Sequence, residues 1–231
     1  MVELFMRRRA ALSASLLDLP PVREGLQYFW SGLDLPDLLP SSGPLTWNSR
    51  TGEGSITWSV PTTNGGTVFP NHTIMIPTSY AIRIGMFSPS LWIGSVGGIS
   101  EYTVEVVADL DWSKSSGGKI IGSSTNSDEH FHIGADPANG MYAILVKETL
   151  SSGPISEGFH CLSVTLSMSN RYDYRVYLDG DLIQSKSSIL ECFKAPTAPT
   201  AVPLGAVAKY SRALTPEEIT RNYRYYKSIW R

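Results

Sequence analysis

The residues in this chain that could do chemistry fall into three sets. The first is acidic. Glu105, Asp109 and Asp111 lie an even number of residues apart, so on an extended strand they share one face. Hydrolysis of a glycoside with retention would need two such carboxyl groups about 5–5.5 Å apart. Leu110 and Trp112 make the stretch read instead as the solvated side of a half-buried strand, so no catalytic residue is assigned and the chain is expected not to be an enzyme. The second set resembles metal ligands: Asp128-Glu129-His130-Phe131-His132 puts two imidazoles at i and i+2 on one strand face, with no third ligand at an evident spacing. Asp109, Asp111, Asp128, His130 and His132 are therefore weak metal candidates, and a polar strand face beside a loop is the plainer reading. The third set is aromatic. Trp58, Trp92, Trp112 and Tyr142 supply rings that can stack on sugar faces, which makes them the candidate ligand-binding residues, although Trp and Tyr also fill β-sandwich cores. Gly-x-Ser-x-Gly elbows, P-loops and dinucleotide fingerprints are absent from the sequence.

The elements that must position these residues are strands. From Gln27 onward, short apolar or alternating runs are punctuated by Gly, Pro, Asn and Ser. Strands are expected at Leu26–Trp30, Ser55–Val60, Thr73–Ile76, Ala81–Met86, Tyr102–Leu110, Lys119–Ser123, His130–Ala135, Met141–Glu148, Gly158–Ser167, Tyr174–Leu178 and Val202–Ala208. In Tyr102–Leu110, Tyr102, Val104, Val106 and Ala108 alternate with Thr103, Glu105, Val107 and Asp109, the period of a strand with one buried face. Asp179-Gly180 between apolar runs has the composition of a type I′ turn, so Asp179 reads as a turn residue rather than a catalyst. One segment breaks the pattern: Thr215 as N-cap, Pro216 at the first helical position and Glu218 three residues after the cap predict a helix from about Pro216 to Ser228.

Composition bounds the rest. The 231 residues carry 19 Lys+Arg against 21 Asp+Glu, for a net charge of −2. That balance excludes a basic nucleic-acid binder. With 17% charged residues, 20 Gly and 15 Pro, a helical bundle is also excluded, and no stretch has the ~20 apolar residues of a membrane span. Cys161 and Cys192 sit in apolar segments, as buried free thiols or as a pair. Residues 1–25 read as an N-terminal arm and residues 26–231 as one domain. The arm concentrates Arg7, Arg8 and Arg9, which are the candidate anchoring residues, and leaves a mildly acidic domain.

Five pieces of this sequence resemble the laminin-G-like domain of the concanavalin A-like lectin/glucanase superfamily. They are Trp47-Asn48-Ser49-Arg50-Thr51-Gly52, the Tyr102–Trp112 strand, Gly158-Phe159-His160-Cys161-Leu162, the hairpin around Leu178-Asp179-Gly180, and Lys209-Tyr210-Ser211-Arg212-Ala213-Leu214-Thr215-Pro216-Glu217-Glu218-Ile219. The resemblance implies an all-β antiparallel sandwich, a jelly roll, with a short C-terminal helix. Glucanases of that fold draw their acids from a Glu-x-Asp-x-Glu strand, which this sequence lacks. Some laminin-G-like domains hold calcium at the sandwich rim, so the expectation is no cofactor, with calcium as the alternative. A basic arm before a lone domain is also similar to small phage and prophage virion proteins. That implies a non-catalytic structural or binding module of a virion (capsid decoration, head fibre or tail appendage) that attaches to other virion or surface proteins through the arm. It would bind a host-surface glycan, with no nucleic acid and no membrane span. The alternatives are a glycoside hydrolase on the same fold, and a secreted or bacterial cell-surface location.

Overall fold

The structure, a computed structural model, describes residues 19–34, 43–51, 55–60, 67–68, 74–75, 101–113, 117–122, 131–145, 148–168, 172–188 and 202–230. Its strands are β1 (Leu26–Ser31), β2 (Gly43–Asn48), β3 (Ser55–Val60), β4 (Thr67–Val68), β5 (Ile74–Met75), β6 (Tyr102–Leu110), β7 (Gly118–Gly122) and β8 (Phe131–Asp136). They continue as β9 (Gly140–Leu145), β10 (Glu148–Ser151), β11 (Gly158–Met168), β12 (Tyr172–Leu178), β13 (Asp181–Ser188) and β14 (Leu204–Tyr210), before the helix α1 (Pro216–Ile229). An eight-stranded sheet runs β13-β12-β11-β6-β14-β5-β4, with β1 also paired to β14; a four-stranded sheet runs β10-β9-β8-β7, and β2 pairs with β3. Every pairing is antiparallel. The expected all-β sandwich with a C-terminal helix is therefore the observed architecture.

The two larger sheets face each other across the main core. Val104, Val106, Val164 and Val176 of the large sheet meet Ile133, Met141 and Ala143 of the smaller one. The opposite face of the large sheet is covered too. Val107, Cys161, Tyr177, Ala208 and Tyr210 pack there against Ile219, Tyr226 and Trp230 near the C-terminus. This corrects the reading of Tyr102–Leu110 as a strand with one wet face: all nine residues of β6 are buried, Glu105 at 1% exposure and Asp109 at 8%. The strand alternates as expected, but α1 arrives from more than a hundred residues later and takes the place of solvent.

Three further differences are local. The single strand expected at Met141–Glu148 is two, β9 and β10, which pair with each other; the run Met141–Leu145 carries no turn residue to mark the reversal. Neither β2 nor β13 was among the expected strands, although the Asp179-Gly180 hairpin turn called for a strand after it. β13 is largely polar and partly exposed at the sheet edge, so its order comes from its ladder to β12 rather than from an apolar face. The segment expected at Ala81–Met86 lies outside the described residues. Finally, the last part of the arm belongs to the domain's packing. The Val22 N–H donates to Asn222 Oδ1 (3.2 Å), the Tyr210 hydroxyl donates to the Val22 carbonyl (3.2 Å), and Arg212 Nε donates to the Glu24 carbonyl (3.1 Å).

Candidate functional site

A cleft of about 380 Å³ opens where the start of β11, the β12–β13 turn and the second half of α1 meet. Its geometry begins with the helix. Thr215 Oγ1 accepts from the Glu218 N–H while the Glu218 carboxylate accepts from the Thr215 N–H, a complete capping box with Pro216 in the first turn. Arg212 grips the same carboxylate through two hydrogen bonds of 2.7 Å. That fork, outweighing partial burial, pulls the Glu218 carboxyl down to about 2. Arg212 thus ties the helix start to the loop before it.

The turn forms the second wall. Asp179 adopts φ 53° and Gly180 φ 90°, the left-handed pair that an Asp-Gly hairpin turn provides. A Cβ on Gly180 would stand 3.2 Å from the Tyr223 ring and 3.3 Å from Thr220 Cα, so the glycine also lets α1 close onto the turn. At the other end of the helix, a Cβ on Gly205 would come within 2.9 Å of the Trp230 indole, which lies flush on β14 for that reason.

Asp179 is a turn residue whose side chain also shapes the cleft. Its Oδ1 accepts the Cys161 N–H at 2.9 Å and its Oδ2 lies 2.7 Å from His160 Nδ1. The other ring nitrogen, Nε2, lies 3.1 Å from the Ser156 carbonyl. A carboxylate and a carbonyl can only accept, so these two contacts favour the imidazolium, in which both ring nitrogens donate. Burial opposes that charge, but the hydrogen bond and charge of Asp179, aided by Ser156, prevail and raise the His160 pKa. At the mouth, Glu157 Oε1 accepts the Trp112 N–H at 3.1 Å, and Lys227 Nζ stands 5.5 Å over the Tyr223 ring centroid. Phe159 and Tyr223, both half-buried, add ring surface.

Beneath this cleft, between sheet and helix, lies a buried polar network. Glu105 accepts from the Tyr226 hydroxyl (2.7 Å), Asn222 Nδ2 (2.9 Å) and Ser163 Oγ (3.3 Å). Burial pushes its carboxyl up to about 7 despite those three donors. Burial likewise raises the Tyr226 hydroxyl and the Cys161 thiol, and the neighbouring Glu105 charge raises each further. Cys161 is a free thiol, and Cys192 lies outside the described residues.

The candidates named from the sequence are scattered. Trp112 packs partly on the main core, and its backbone N–H, not its ring, donates to Glu157 at the cleft. Tyr142 is buried, its ring 5.6 Å from that of His132. Trp58 lies on β3. Asp111 accepts from the N–H and hydroxyl of Ser113, which places it in a local turn. Trp92, Asp128, His130 and Arg7–Arg9 lie outside the described residues. Among the described residues, no three or more His, Cys, Asp or Glu side chains gather as a metal-binding group. Sequence reasoning missed the cleft itself. Tyr223, Tyr226 and Trp230 follow helical spacing, which reads as core, and nothing in the sequence says that Phe159 and His160 would stand opposite them.

Comparison with known proteins shows the fold. No protein-family model matches the sequence, and no curated protein matches it. Among solved structures, Trypanosoma rangeli sialidase in complex with the inhibitor DANA is similar at a TM-score of 0.54 and 14% identity, covering 99% of this chain and 39% of the sialidase. The same sialidase with 2,3-difluorosialic acid gives a TM-score of 0.53 at 14% identity, over 99% and 40%. The CBM40 of Ruminococcus gnavus IT-sialidase gives 0.42 at 13% identity, over 52% of this chain and 81% of that one. The chain spans about two fifths of the length of the sialidases it resembles. What is shared is the β-sandwich fold, and these matches are sialidase structures rather than laminin-G-like or virion proteins. They overturn the expectation that the chain is not an enzyme. That expectation rested on the missing pair of carboxylates, whereas sialidases hydrolyse glycosides with a tyrosine nucleophile instead.

Proposed function

We propose that this chain is a carbohydrate-active β-sandwich, a glycan-binding part of a glycoside hydrolase, and that it holds its glycan in the cleft between α1, β11 and the β12–β13 turn. The observation that carries this reading is the cleft's composition: half-buried ring surface from Phe159 and Tyr223 stands beside the polar ends of Glu157 and Lys227 in one depression of about 380 Å³. Small-molecule sites combine those features, an apolar and aromatic lining with a few placed polar groups. The sialidase neighbours, solved in complex with sialic acid, DANA and difluorosialic acid, support the carbohydrate-active setting. Arg7–Arg9 support attachment of the sandwich to a larger assembly such as a virion or a cell surface.

A glycan array read together with release of a fluorophore from aryl glycosides, sialosides included, tests the proposal on the full chain. Saturable glycan binding that weakens at least tenfold in Tyr223→Ala is the expected result. A chain that neither binds a glycan nor releases a fluorophore would refute it.

A further inference from the structure

The charges of the cleft bear on which sugars it takes, a question that rests on the reading above. Two acidic side chains line it, Glu157 and Asp179, and two basic ones, His160 and Lys227. Asp179 and His160 cancel each other at 2.7 Å, and neither keeps hydrogen-bonding capacity for a ligand's carboxylate. Both ring N–H groups of His160 are committed, one to Asp179 and one to the Ser156 carbonyl. What remains is one carboxylate, Glu157, with Oε1 held by the Trp112 N–H, and one ammonium, Lys227, at the mouth over Tyr223. Recognition of a carboxylate characteristically uses the arginine fork or several converging N–H donors. Among the described residues, no arginine lines this cleft. A sugar acid would set its carboxylate beside Glu157 with a single solvent-exposed lysine to offset the repulsion.

A neutral sugar meets none of these costs. Its hydroxyls both donate and accept, so one ring can give a hydrogen bond to Glu157 and take one from Lys227, while its C–H face lies on the rings of Phe159 or Tyr223. We infer that the cleft is a subsite for a neutral pyranose, read by Glu157 and Lys227 against the Phe159 and Tyr223 rings, and that it excludes sugars bearing a carboxylate. The site therefore differs in ligand class from the sialic acid ligands bound in the sialidase neighbours.

The test is a calorimetric or NMR titration of the full chain with matched pairs: lactose against 3′-sialyllactose, and galactose, glucose, mannose and N-acetylglucosamine against the corresponding uronic acids. Neutral sugars are expected to bind at least tenfold more tightly than their acidic counterparts. Glu157→Gln keeps an acceptor for the Trp112 N–H but replaces the other carboxylate oxygen with a donor, and should weaken the neutral sugar about threefold to tenfold. Lys227→Met should weaken it by a similar factor. Both positions are at the surface of the cleft, and an unchanged melting temperature verifies the fold of each variant. Sialyllactose or a uronic acid binding as tightly as its neutral partner would overturn the inference while leaving a glycan-binding cleft in place. If no sugar of either kind bound, the inference and the functional reading beneath it would both fall. Neutral-sugar binding that is indifferent to both variants would also overturn the inference, because it would place the sugar elsewhere on the sandwich.

Discussion

Glu105 is the residue whose environment departs most from what its neighbours in sequence imply. Its place on one face of β6 with Asp109 is legible in the alternation, but what covers that face is not, because Asn222 and Tyr226 come from the far end of the chain. The consequence is a pH dependence with a defined sign. A carboxyl raised from 4.5 to about 7 favours the folded state fully below 4.5, and that stability is lost as pH rises through 7. The size is of order 3 kcal/mol by the usual conversion of a pKa difference to free energy. In Glu105→Gln, which keeps an acceptor for Tyr226 and carries no charge, the fall in melting temperature between pH 4.5 and 7 should be much shallower than in the parent chain. His160, also raised, adds a slope of the same sign above 6.5 that both proteins retain. Equal slopes in parent and variant, measured by thermal melts across that range, would show that Glu105 titrates normally.

Among the elements, α1 was the most legible and β13 the least, for opposite reasons. A helix start is written locally: Thr215, Pro216 and Glu218 carry their own hydrogen-bonding partners within four residues. An edge strand with polar side chains has no such local signature, and its order comes from the register with β12. The cleft falls between these cases. Asp179-Gly180 announced a turn, but not that the Asp179 side chain would reach back across the hairpin to His160. Because α1 forms one wall of the cleft and covers Glu105, its cap should matter beyond the helix. Thr215→Ala should lower stability by about 1 kcal/mol. It should also speed amide hydrogen exchange in the first turn of α1 before it affects the sandwich core, as mass spectrometry of exchange would show. Uniform loss of protection across both sheets would instead mean that helix and sandwich open as one unit.

At the scale of the whole molecule, the large sheet is a middle layer, with the smaller sheet on one side and α1 on the other. The sandwich was readable from turn chemistry and alternation; the third layer was readable only as a helix, since no local pattern says onto which face it will fold. The arm divides in the same way. Arg7–Arg9 precede the described residues, whereas Val22 and Glu24 are bonded to Asn222 and Arg212. Deleting Met1–Leu17 should therefore leave the melting temperature unchanged while abolishing co-purification with a larger assembly. Unaltered co-purification would show that the arm is not the tether.

The bond between Val22 and Asn222 joins positions 200 residues apart, and among the described residues β1 pairs with β14. During synthesis, then, β1 must wait beside an unfilled place until β14 has left the ribosome. Glu105 stays open to water until α1 arrives. Closure of this fold is timed by β14 and α1, and a chain interrupted before β14 would present an unfinished sheet edge to its surroundings.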